Sequence, residues 1–358
     1  MRISEIRVRG FRNLSETALH PTPGVNVIYG ENAQGKTNLI EAVWMCSGMK
    51  SFRGAKEPEM PAFGSKQAQI CLRYDDGSRM NDIELKIENR RSAVLNGIPL
   101  SSPAGLIGKF RAVVFYPSFL SIVQAGPQGR RRFIDAAICQ LYPAFAKLLA
   151  EYGRLLRQRG ALLKDIRMES SLLDMLDVLD LRLAECAEQL TARRLQYLEA
   201  LTPFADEIYG GISSGREKIS FRYIRKGADG DRPYGELLRE NRRTDILNRS
   251  TGVGPHRDDV EICINGVSAR VYGSQGQQRS CALALKLGEA SVIRDLTGSS
   301  PVTLLDDVMS ELDAGRQNYI LNHIGDRQVF ITCCDPDAVG RLTGGMRVSV
   351  RGGVLTEE

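Results

Sequence analysis

The segment Gly30-Glu31-Asn32-Ala33-Gln34-Gly35-Lys36-Thr37 matches the phosphate-binding loop pattern G-x-x-x-x-G-K-[ST] at every fixed position. An apolar run, Val25–Tyr29, precedes it, and residues with helical spacing, Leu39–Val43, follow it. In this strand–loop–helix context the glycines let backbone N–H groups and a helix N-terminus face phosphate oxygens. We therefore predict a nucleoside triphosphate site, with Lys36 on the β- and γ-phosphates and the Thr37 hydroxyl on Mg²⁺.

A second part of the predicted site lies in Val302-Thr303-Leu304-Leu305-Asp306-Asp307. A carboxylate that ends an apolar strand beside a phosphate loop can hold Mg²⁺ through water, and we assign that role to Asp306. Asp307 is the candidate that orients or deprotonates the attacking water, so Lys36, Asp306 and Asp307 form the predicted catalytic set. Alone, the segment also fits a strand followed by an acidic turn, but the upstream phosphate loop favours the catalytic interpretation.

A third segment, Tyr272-Gly273-Ser274-Gln275-Gly276-Gln277-Gln278, stands directly before a helical pattern. Serine and glycine at a helix N-terminus make an anion site, because free N–H groups and the positive end of the helix dipole meet there. Taken singly, the segment is no more than a helix N-cap. The terminal phosphate of one nucleotide rarely needs two helix N-termini from the same subunit. The chain therefore has one more candidate phosphate site than a single bound nucleotide would use.

The overall composition limits the class of protein. At 358 residues the chain is long enough for two domains, or for one large domain with an insertion. The N-terminus lacks the apolar core of a signal peptide, and no stretch approaches the roughly 18 apolar residues of a membrane span. Eight cysteines without C-x-x-C spacing and three histidines argue against a zinc site and for reduced thiols. We therefore expect a cytoplasmic protein without a membrane partner, whose net charge of +5 permits contact with a polyanion.

The predicted elements divide the chain into three parts. We expect residues 1–125 to form the N-terminal part of a lobe around the phosphate loop, residues 126–252 a helical arm, and residues 253–358 the C-terminal part of that lobe. In the arm, three-and-four spacing predicts two long antiparallel helices that are separated at Met168–Ser171, with Pro143 as a kink in the first. The predicted strands are Arg2–Gly10, Gln69–Tyr74, Asp82–Glu88, Ser92–Leu95, Ala112–Tyr116, Lys218–Ile224, Val260–Ile264, Val267–Val271, Val302–Leu305, Val329–Thr332 and Met346–Val350. The fold class is therefore α/β, with a mixed or mostly parallel sheet around the phosphate loop and an inserted helical arm.

Together these motifs resemble the head domain of the ATP-binding-cassette (ABC) superfamily, and more closely its DNA-maintenance branch with the SMC and Rad50 proteins. Within that branch the sequence is most similar to the RecF family by its motifs. The short arm agrees with this, since SMC and Rad50 proteins have very long coiled coils there. The resemblance spans essentially the whole chain in motif order. Its further motifs are Ile6-Arg7-Val8-Arg9-Gly10-Phe11-Arg12-Asn13-Leu14, Asn38-Leu39-Ile40-Glu41-Ala42, Ser51-Phe52-Arg53, Gly129-Arg130-Arg131-Arg132-Phe133-Ile134-Asp135, Gly254-Pro255-His256-Arg257-Asp258-Asp259 and Ser310-Glu311-Leu312-Asp313.

Two segments depart from the patterns of RecF relatives. Pro117-Ser118-Phe119 lacks the acidic residues that follow this proline in RecF proteins, and Thr332-Cys333-Cys334 replaces a run of threonines. Thr332 is therefore our candidate for the γ-phosphate sensor. Asp307 is an aspartate, as in RecF proteins, where most cassette ATPases carry Glu, and its shorter reach predicts slow hydrolysis.

The resemblance implies an ATP-dependent homodimer that clamps DNA during recombinational repair and replication. Each ATP would lie on the phosphate loop and Asn38 of one subunit, with Ser274, Gly276 and Gln277 of the partner on its γ-phosphate. Arg12 and Asn13 are the candidates near the purine. RecF relatives work with RecO and RecR to load recombinase onto gapped DNA, so the resemblance also implies such mediators, a part in the SOS response and weak DNA-stimulated ATP hydrolysis.

Cations on and around the first arm helix are the candidate DNA contacts. Such residues would neutralise phosphates and give salt-dependent, largely sequence-independent binding, although a solvated helix face is the more ordinary origin of a charge run. No base-reading motif is visible, so we expect recognition of duplex or of a single-strand/duplex junction. The candidates are Arg130, Arg131, Arg132, Arg154 and Arg157, with Arg159, Lys164 and Arg167 nearby.

Three other functions share part of this pattern. An ABC subunit of a membrane transporter would have the same nucleotide motifs, but not the glutamine-rich segment at Ser274, the helical arm or the Gly254–Asp259 motif. An SMC-like tether would need a longer arm. A P-loop kinase would need an acceptor site in place of a second phosphate-binding helix.

Overall fold

The fold is described from a computed structural model, which covers residues 1–165, 172–227, 232–335 and 345–358. The predicted separation of the arm helices at Met168–Ser171 lies outside these residues, as do Ile166 and Arg167. Within them, no helix is long and apolar enough to cross a membrane.

The described elements follow the predicted order closely. The strands are β1 (Arg2–Arg9), β2 (Thr17–Leu19), β3 (Val25–Tyr29), β4 (Ala68–Asp75), β5 (Met80–Ile87), β6 (Arg91–Leu95), β7 (Ile98–Pro99), β8 (Ala112–Phe115), β9 (Ile219–Ile224), β10 (Asp259–Ile264), β11 (Val267–Ser268), β12 (Val302–Asp306), β13 (Val329–Cys333), β14 (Met346–Arg351) and β15 (Val354–Glu357). The helices are α1 (Lys36–Met45), α2 (Pro127–Leu141), α3 (Pro143–Asp165), α4 (Leu172–Ile212), α5 (Tyr234–Asn248), α6 (Ala269–Tyr272), α7 (Gln275–Thr297) and α8 (Ala314–His323).

A six-stranded sheet in the order β15-β14-β3-β13-β12-β8 positions the candidate site. All its neighbours are parallel except β14 and β15. Strands β12 and β13 are buried along their whole length, as their continuous apolar sequences require of central parallel strands. Because β3, β12 and β13 run in the same direction, the residues that follow them meet at one edge of the sheet.

A second six-stranded sheet, β2-β1-β4-β5-β6-β7, is antiparallel throughout. Its alternating apolar side chains pack against α1 and one face of the parallel sheet in a single core. The opposite face of the parallel sheet packs with α2, α4 and α7 in another core. The prediction of a sheet around the loop is confirmed, and the N-terminal strands add a separate antiparallel layer to it.

The helical arm departs from the prediction at its first helix. Pro143 does not kink one long helix but begins α3, because Tyr142 leaves the helical conformation with φ −129° and ψ 89°. Strand β9 pairs antiparallel with β10, which joins the arm to the chain that follows it. The strand predicted at Val267–Val271 is also shorter than expected, since β11 ends at Ser268 and α6 follows directly.

Candidate nucleotide site

The phosphate loop connects β3 to α1 through backbone conformations that glycine favours. Gly30 has φ 152° and Gly35 has φ 122°. A Cβ atom on Gly30 would lie 2.4 Å from the Val350 carbonyl oxygen, and one on Gly35 would lie 2.8 Å from Leu14 Cδ2. Both glycines are therefore required by space as well as by conformation, and the loop curls tightly enough to direct its N–H groups inward.

Lys36, the first residue of α1, folds back over the loop. Its Nζ donates hydrogen bonds to the carbonyl oxygens of Gly30 at 2.5 Å and Glu31 at 2.8 Å, and only 7% of the residue is exposed. Cys334 Sγ lies 3.7 Å from the same ammonium and donates to Asn32 Oδ1 at 3.2 Å. The segment after β13, which departs from the pattern of relatives, thus contacts the loop directly.

A hydrogen-bond chain connects the loop to β12 and β13. The hydroxyls of Thr37 and Thr332 both donate to Asp306 Oδ1, at 2.8 and 3.0 Å. The Thr332 hydroxyl in turn accepts from the backbone N–H of Asp307 at 2.8 Å. Burial raises the pKa of Asp306, the two threonine hydroxyls oppose that shift, and the nearby Asp307 adds to it.

The residues at this position suit a hard divalent cation. A threonine hydroxyl beside a buried carboxylate offers the oxygen ligands that Mg²⁺ prefers, with phosphate oxygens and water completing its coordination. Among the described residues, no group of three or more His, Cys, Asp or Glu side chains could hold a metal ion. The donor set therefore fits a metal shared with a triphosphate rather than one held by the protein alone.

Asp307 has a left-handed backbone with φ 50°, which is uncommon for a residue other than glycine. It lines the nucleotide cleft, and its carboxylate accepts a hydrogen bond from the Ser310 hydroxyl at 3.2 Å. Strained conformations of this kind occur where a side chain must be aimed at a functional site. The geometry is thus suited to holding a carboxylate in the cleft.

The cleft itself measures about 890 Å³. Its walls are three segments, Arg12–Ser15, Asn32–Asn38 and Pro61–Phe63, together with Arg53, Glu59 and Asp307. This volume falls within the usual range of ligand pockets, about 300–1,000 Å³, and is sufficient for a nucleoside triphosphate.

Arg12 and Asn13, the predicted purine contacts, hold the cleft walls in place. Arg12 donates to both oxygens of the fully buried Glu41 at 3.1 Å. Asn13 donates to the Ala33 carbonyl at 2.9 Å and accepts from Asn38 Nδ2 at 2.7 Å. Much of their hydrogen-bonding capacity is therefore directed to the protein itself.

Sequence reasoning missed Phe63, whose side chain is fully exposed at the rim of the cleft. Its backbone is held by pairing of the preceding loop, in which Arg12 N–H donates to the Met60 carbonyl and Ala62 N–H donates to the Gly10 carbonyl. An exposed ring beside a phosphate site is a candidate base contact. A lone phenylalanine in an irregular loop carries no periodic signal, so only the folded structure identifies it.

The predicted second anion site is a well-formed helix start. Ser274 is the N-cap of α7, its hydroxyl accepts from the Gln277 N–H at 3.2 Å, and the Gln277 side chain accepts from the Ser274 N–H at 2.7 Å. Gly276 packs beside the Arg316 guanidinium, where a Cβ atom would lie 3.1 Å from its nitrogen. Among the described residues that line the cleft of the same chain, none comes from Tyr272–Gln278. The structure thus does not bring this helix start to the loop within one chain.

The predicted DNA contacts divide into two groups. Arg130 is 4% exposed and pairs with Asp259 at 2.8 Å, so its guanidinium is directed inward, away from a DNA surface. Arg131 is half-buried and donates to the Asp258 carbonyl. Arg159 is fully buried between two aspartates. The prediction that Arg130 and Arg159 contact DNA is therefore wrong, because each buried guanidinium needs its carboxylate partners. The candidates that are exposed are Arg132, Arg154, Arg157 and Lys164.

Comparisons with known proteins agree with this geometry. The family model described as RecF/RecN/SMC N terminal domain matches residues 2–354. The DNA replication and repair protein RecF of Agathobacter rectalis is 39% identical over 339 residues, covering 94% of this chain and 93% of the relative. RecF of Clostridium perfringens is 38% identical over 338 residues, covering 93% of each chain.

Solved structures give the same result for the fold. A structure of the recombination mediator protein RecF with ATP in the RecFOR pathway has a TM-score of 0.93 and 35% identity, covering 100% of this chain and 97% of that one. An SMC head bound to a domain of ScpA has a TM-score of 0.58 and 16% identity, covering 100% and 97%, which supports the fold alone. The chain therefore belongs to the RecF family of DNA replication and repair proteins, with the fold of an ABC-type ATPase head.

Proposed function

We propose that this chain is an ATP-dependent DNA-binding protein of recombinational repair and replication, in which ATP joins two copies into a clamp on DNA. The observation that carries the proposal is the separation of two anion sites within one chain. The loop at Lys36 lies in the cleft, whereas the capped start of α7 at Ser274 is exposed and does not line it. Two such chains can complete each other's sites in a symmetric dimer.

The nucleotide chemistry follows from the residues of the cleft. Lys36 exchanges its two carbonyl contacts for oxygens of the β- and γ-phosphates, while the loop N–H groups hold the remaining phosphate oxygens. Thr37 and Asp306 would hold Mg²⁺, which would neutralise charge on the phosphates. A carboxylate suits this role because the cation offsets the burial that raises the pKa of Asp306.

Hydrolysis depends on Asp307 and is expected to be slow. Its carboxylate orients the attacking water or accepts its proton, but an aspartate reaches less far than a glutamate from the same backbone position. The Ser310 hydroxyl lies 2.9 Å from the Asp307 carbonyl oxygen and 3.2 Å from its carboxylate, so it donates to one or shares its proton between them. Weak, DNA-stimulated turnover fits a switch that holds the dimer closed between hydrolysis events.

The partner subunit would supply the cap on the γ-phosphate. The Ser274 hydroxyl and the N–H groups of Gly276 and Gln277 form the positive end of the 23-residue helix α7. Because the γ-phosphate lies between two chains, its loss on hydrolysis removes the contact that joins them.

The base of the nucleotide would lie against Phe63. Its fully exposed ring stands at the rim of the cleft that Arg12 also lines. Stacking on an aromatic side chain contributes about 1–3 kcal/mol per base and does not distinguish between bases. The ring would therefore add affinity for a nucleotide over an inorganic triphosphate.

The partners are proposed from the family relationship together with the exposed arm cations. Solved RecF relatives are recombination mediators of the RecFOR pathway, which supports RecR- and RecO-like mediators. Recombinase loading and a part in the SOS response are proposed from the family resemblance alone. Arg132 and Arg157 are exposed and available for backbone phosphates of duplex or junction DNA, whereas the exposed Arg154 also pairs with Glu151 at 3.7 Å.

Light scattering after size-exclusion chromatography tests the clamp. ATP with Mg²⁺ should convert the protein from monomer to dimer, and Ser274→Arg should abolish dimer formation while it leaves ATP binding intact. Ser101→Arg is the matched control, since Ser101 is exposed and does not line the cleft. If Ser274→Arg still dimerises with ATP, the shared-site proposal is wrong.

A further inference from the structure

A basic pocket of about 410 Å³ lies in the arm, apart from the nucleotide cleft. Four of its lining residues are cations, Arg157 and Lys164 from α3, Arg249 after α5, and Arg257 from the Gly254–Asp259 motif. Among the described residues that line it, none is acidic. The pocket therefore concentrates positive charge in a concave surface, where a low-dielectric wall strengthens the local potential.

Two buried arginines of the arm, Arg159 and Arg194, are neutralised by aspartates, in contrast to the cations of the pocket. Arg159 is held by Asp180 at 2.6 Å and Asp245 at 2.7 Å, and Arg194 pairs with Asp135 at 2.8 Å. Within the part of the chain that the structure describes, Arg157, Lys164 and Arg249 have no carboxylate within 4.0 Å. The positive charge of the pocket is therefore available to an external anion.

The position of Arg249 indicates that its side chain, rather than its backbone, is needed. It is the C-cap of α5 with φ 52°, a left-handed conformation that glycine adopts without strain. An arginine there destabilises the helix end relative to glycine. A residue that is unfavourable for the backbone and lines a basic pocket is best explained by binding.

The pocket wall is small and rigid. Gly160 and Ala161 lie between the two α3 cations, and a Cβ atom on Gly160 would meet nothing within 4 Å, so an anion can approach the helix closely. His256 is fixed on both sides, since its Nδ1 accepts from the Tyr152 hydroxyl at 2.6 Å and its Nε2 donates to the Thr251 carbonyl at 3.2 Å. This gives the Gly254–Asp259 motif a physical role that the nucleotide site does not provide.

We propose that this pocket binds a backbone phosphate of DNA through Arg157, Lys164, Arg249 and Arg257. The inference rests on the proposed DNA-binding function and assigns it a specific site on the arm. A phosphodiester carries the single negative charge and the exposed oxygens that guanidinium groups bind, and the pocket has no base-reading feature. A free phosphate ion offers similar chemistry, so the experiment must separate the two sources.

Fluorescence anisotropy with a labelled duplex, in the presence of ATP and Mg²⁺, tests the site in Arg157→Gln, Arg249→Gly and the double variant. Lys147→Gln is the control, because Lys147 is an exposed cation of α3 that does not line the pocket. We expect the double variant to bind DNA at least about tenfold more weakly and to lower the salt slope by about 0.9 for each phosphate contact that is lost. Arg249→Gly should unfold at the same temperature as the wild type or a higher one, since glycine suits its backbone.

Each alternative outcome overturns a defined claim. If the wild type binds DNA and the double variant binds it equally well, or if Lys147→Gln loses as much affinity, the pocket proposal is wrong while DNA binding stands. If the wild type does not bind DNA with ATP, the proposed function fails first and the pocket proposal fails with it. If calorimetry detects inorganic phosphate binding that the double variant loses without any change in DNA affinity, the pocket binds free phosphate and the DNA assignment is wrong.

Discussion

Thr332→Val is the substitution that most directly tests how the nucleotide site is built. The Thr332 side chain is 1% exposed and forms two hydrogen bonds, to the Asp306 carboxylate at 3.0 Å and from the Asp307 N–H at 2.8 Å. Valine has nearly the same shape, so packing is retained while both bonds are lost. A bond to a charged group contributes about 1.5–3 kcal/mol, and a buried N–H without an acceptor costs about 1–3 kcal/mol. Valine has no hydroxyl that must be desolvated on folding, which offsets part of this cost. We therefore expect the free energy of unfolding to fall by about 2–3 kcal/mol.

This loss should depend on pH in a defined direction. Burial already raises the pKa of Asp306, and the Thr332 hydroxyl opposes that shift. When folding raises the pKa of an acid, the protonated acid favours the folded protein. This contribution to the free energy of unfolding is complete below the ordinary pKa of the acid and is lost as pH rises through its pKa in the folded protein. Removal of the Thr332 hydroxyl should raise the pKa of Asp306 in the folded protein further. The pH range over which stability is lost then becomes wider. The difference between variant and wild type should therefore be greater at neutral pH than at the lowest pH at which the wild type stays folded.

Urea unfolding followed by tryptophan fluorescence measures the effect. Trp44, the single tryptophan, is 5% exposed in the core between the two large sheets and reports on this lobe. Thr303→Val is the matched control, because Thr303 is fully buried in β12 and its hydroxyl has no hydrogen-bond partner among the described residues. The control should be neutral or stabilising. Equal free energies of unfolding for the two variants, or a difference that is greatest at acid pH, would refute the role given to Thr332.

Two further predictions concern the nucleotide itself. Asp307→Asn should retain ATP and prolong the dimer in light scattering, because only the water-activating carboxylate is lost; a dimer that dissociates at the wild-type rate would contradict this. Phe63→Trp should give a fluorescence change with ATP but not with inorganic triphosphate, and Phe63→Ala should weaken ATP binding about tenfold. Ile98→Trp, at another exposed apolar position, is the control, and an equal response of both tryptophans to ATP would exclude the base contact.

The parts of the site that are predictable from sequence are those set by local geometry. The phosphate loop needs glycines at fixed spacing between a strand and a helix, and Asp306 needs only to end a buried strand. The burial of Arg130 was not predictable, because its partner Asp259 is 129 residues away along the chain. A charge run identifies cations, but whether each is exposed depends on which distant carboxylates the fold brings to it.

The same distinction explains the sheets. Alternation in Arg2–Arg9 predicts a half-buried strand, yet it does not state whether the strand joins the sheet of the phosphate loop or a separate one. Pro143 shows that local sequence also has limits. The same apolar pattern surrounds a proline that begins a helix and a proline that kinks one. Pairing partners are long-range properties, and a single sequence contains no direct record of them.

The helix start at Ser274 links the fold to the proposed clamp. Among the described residues, the Ser274 hydroxyl and N–H form only the capping box with Gln277, which would be a sufficient role for an ordinary N-cap. The Gln277 side chain, however, also donates to Glu217 at 2.6 Å, and Glu217 accepts from the Tyr209 hydroxyl near the end of the long arm helix α4. A γ-phosphate that binds at Ser274 would therefore act on a residue bonded to the arm. The hydrogen bonds from Ser274 thus reach the arm at α4, and the basic pocket lies elsewhere on the same arm.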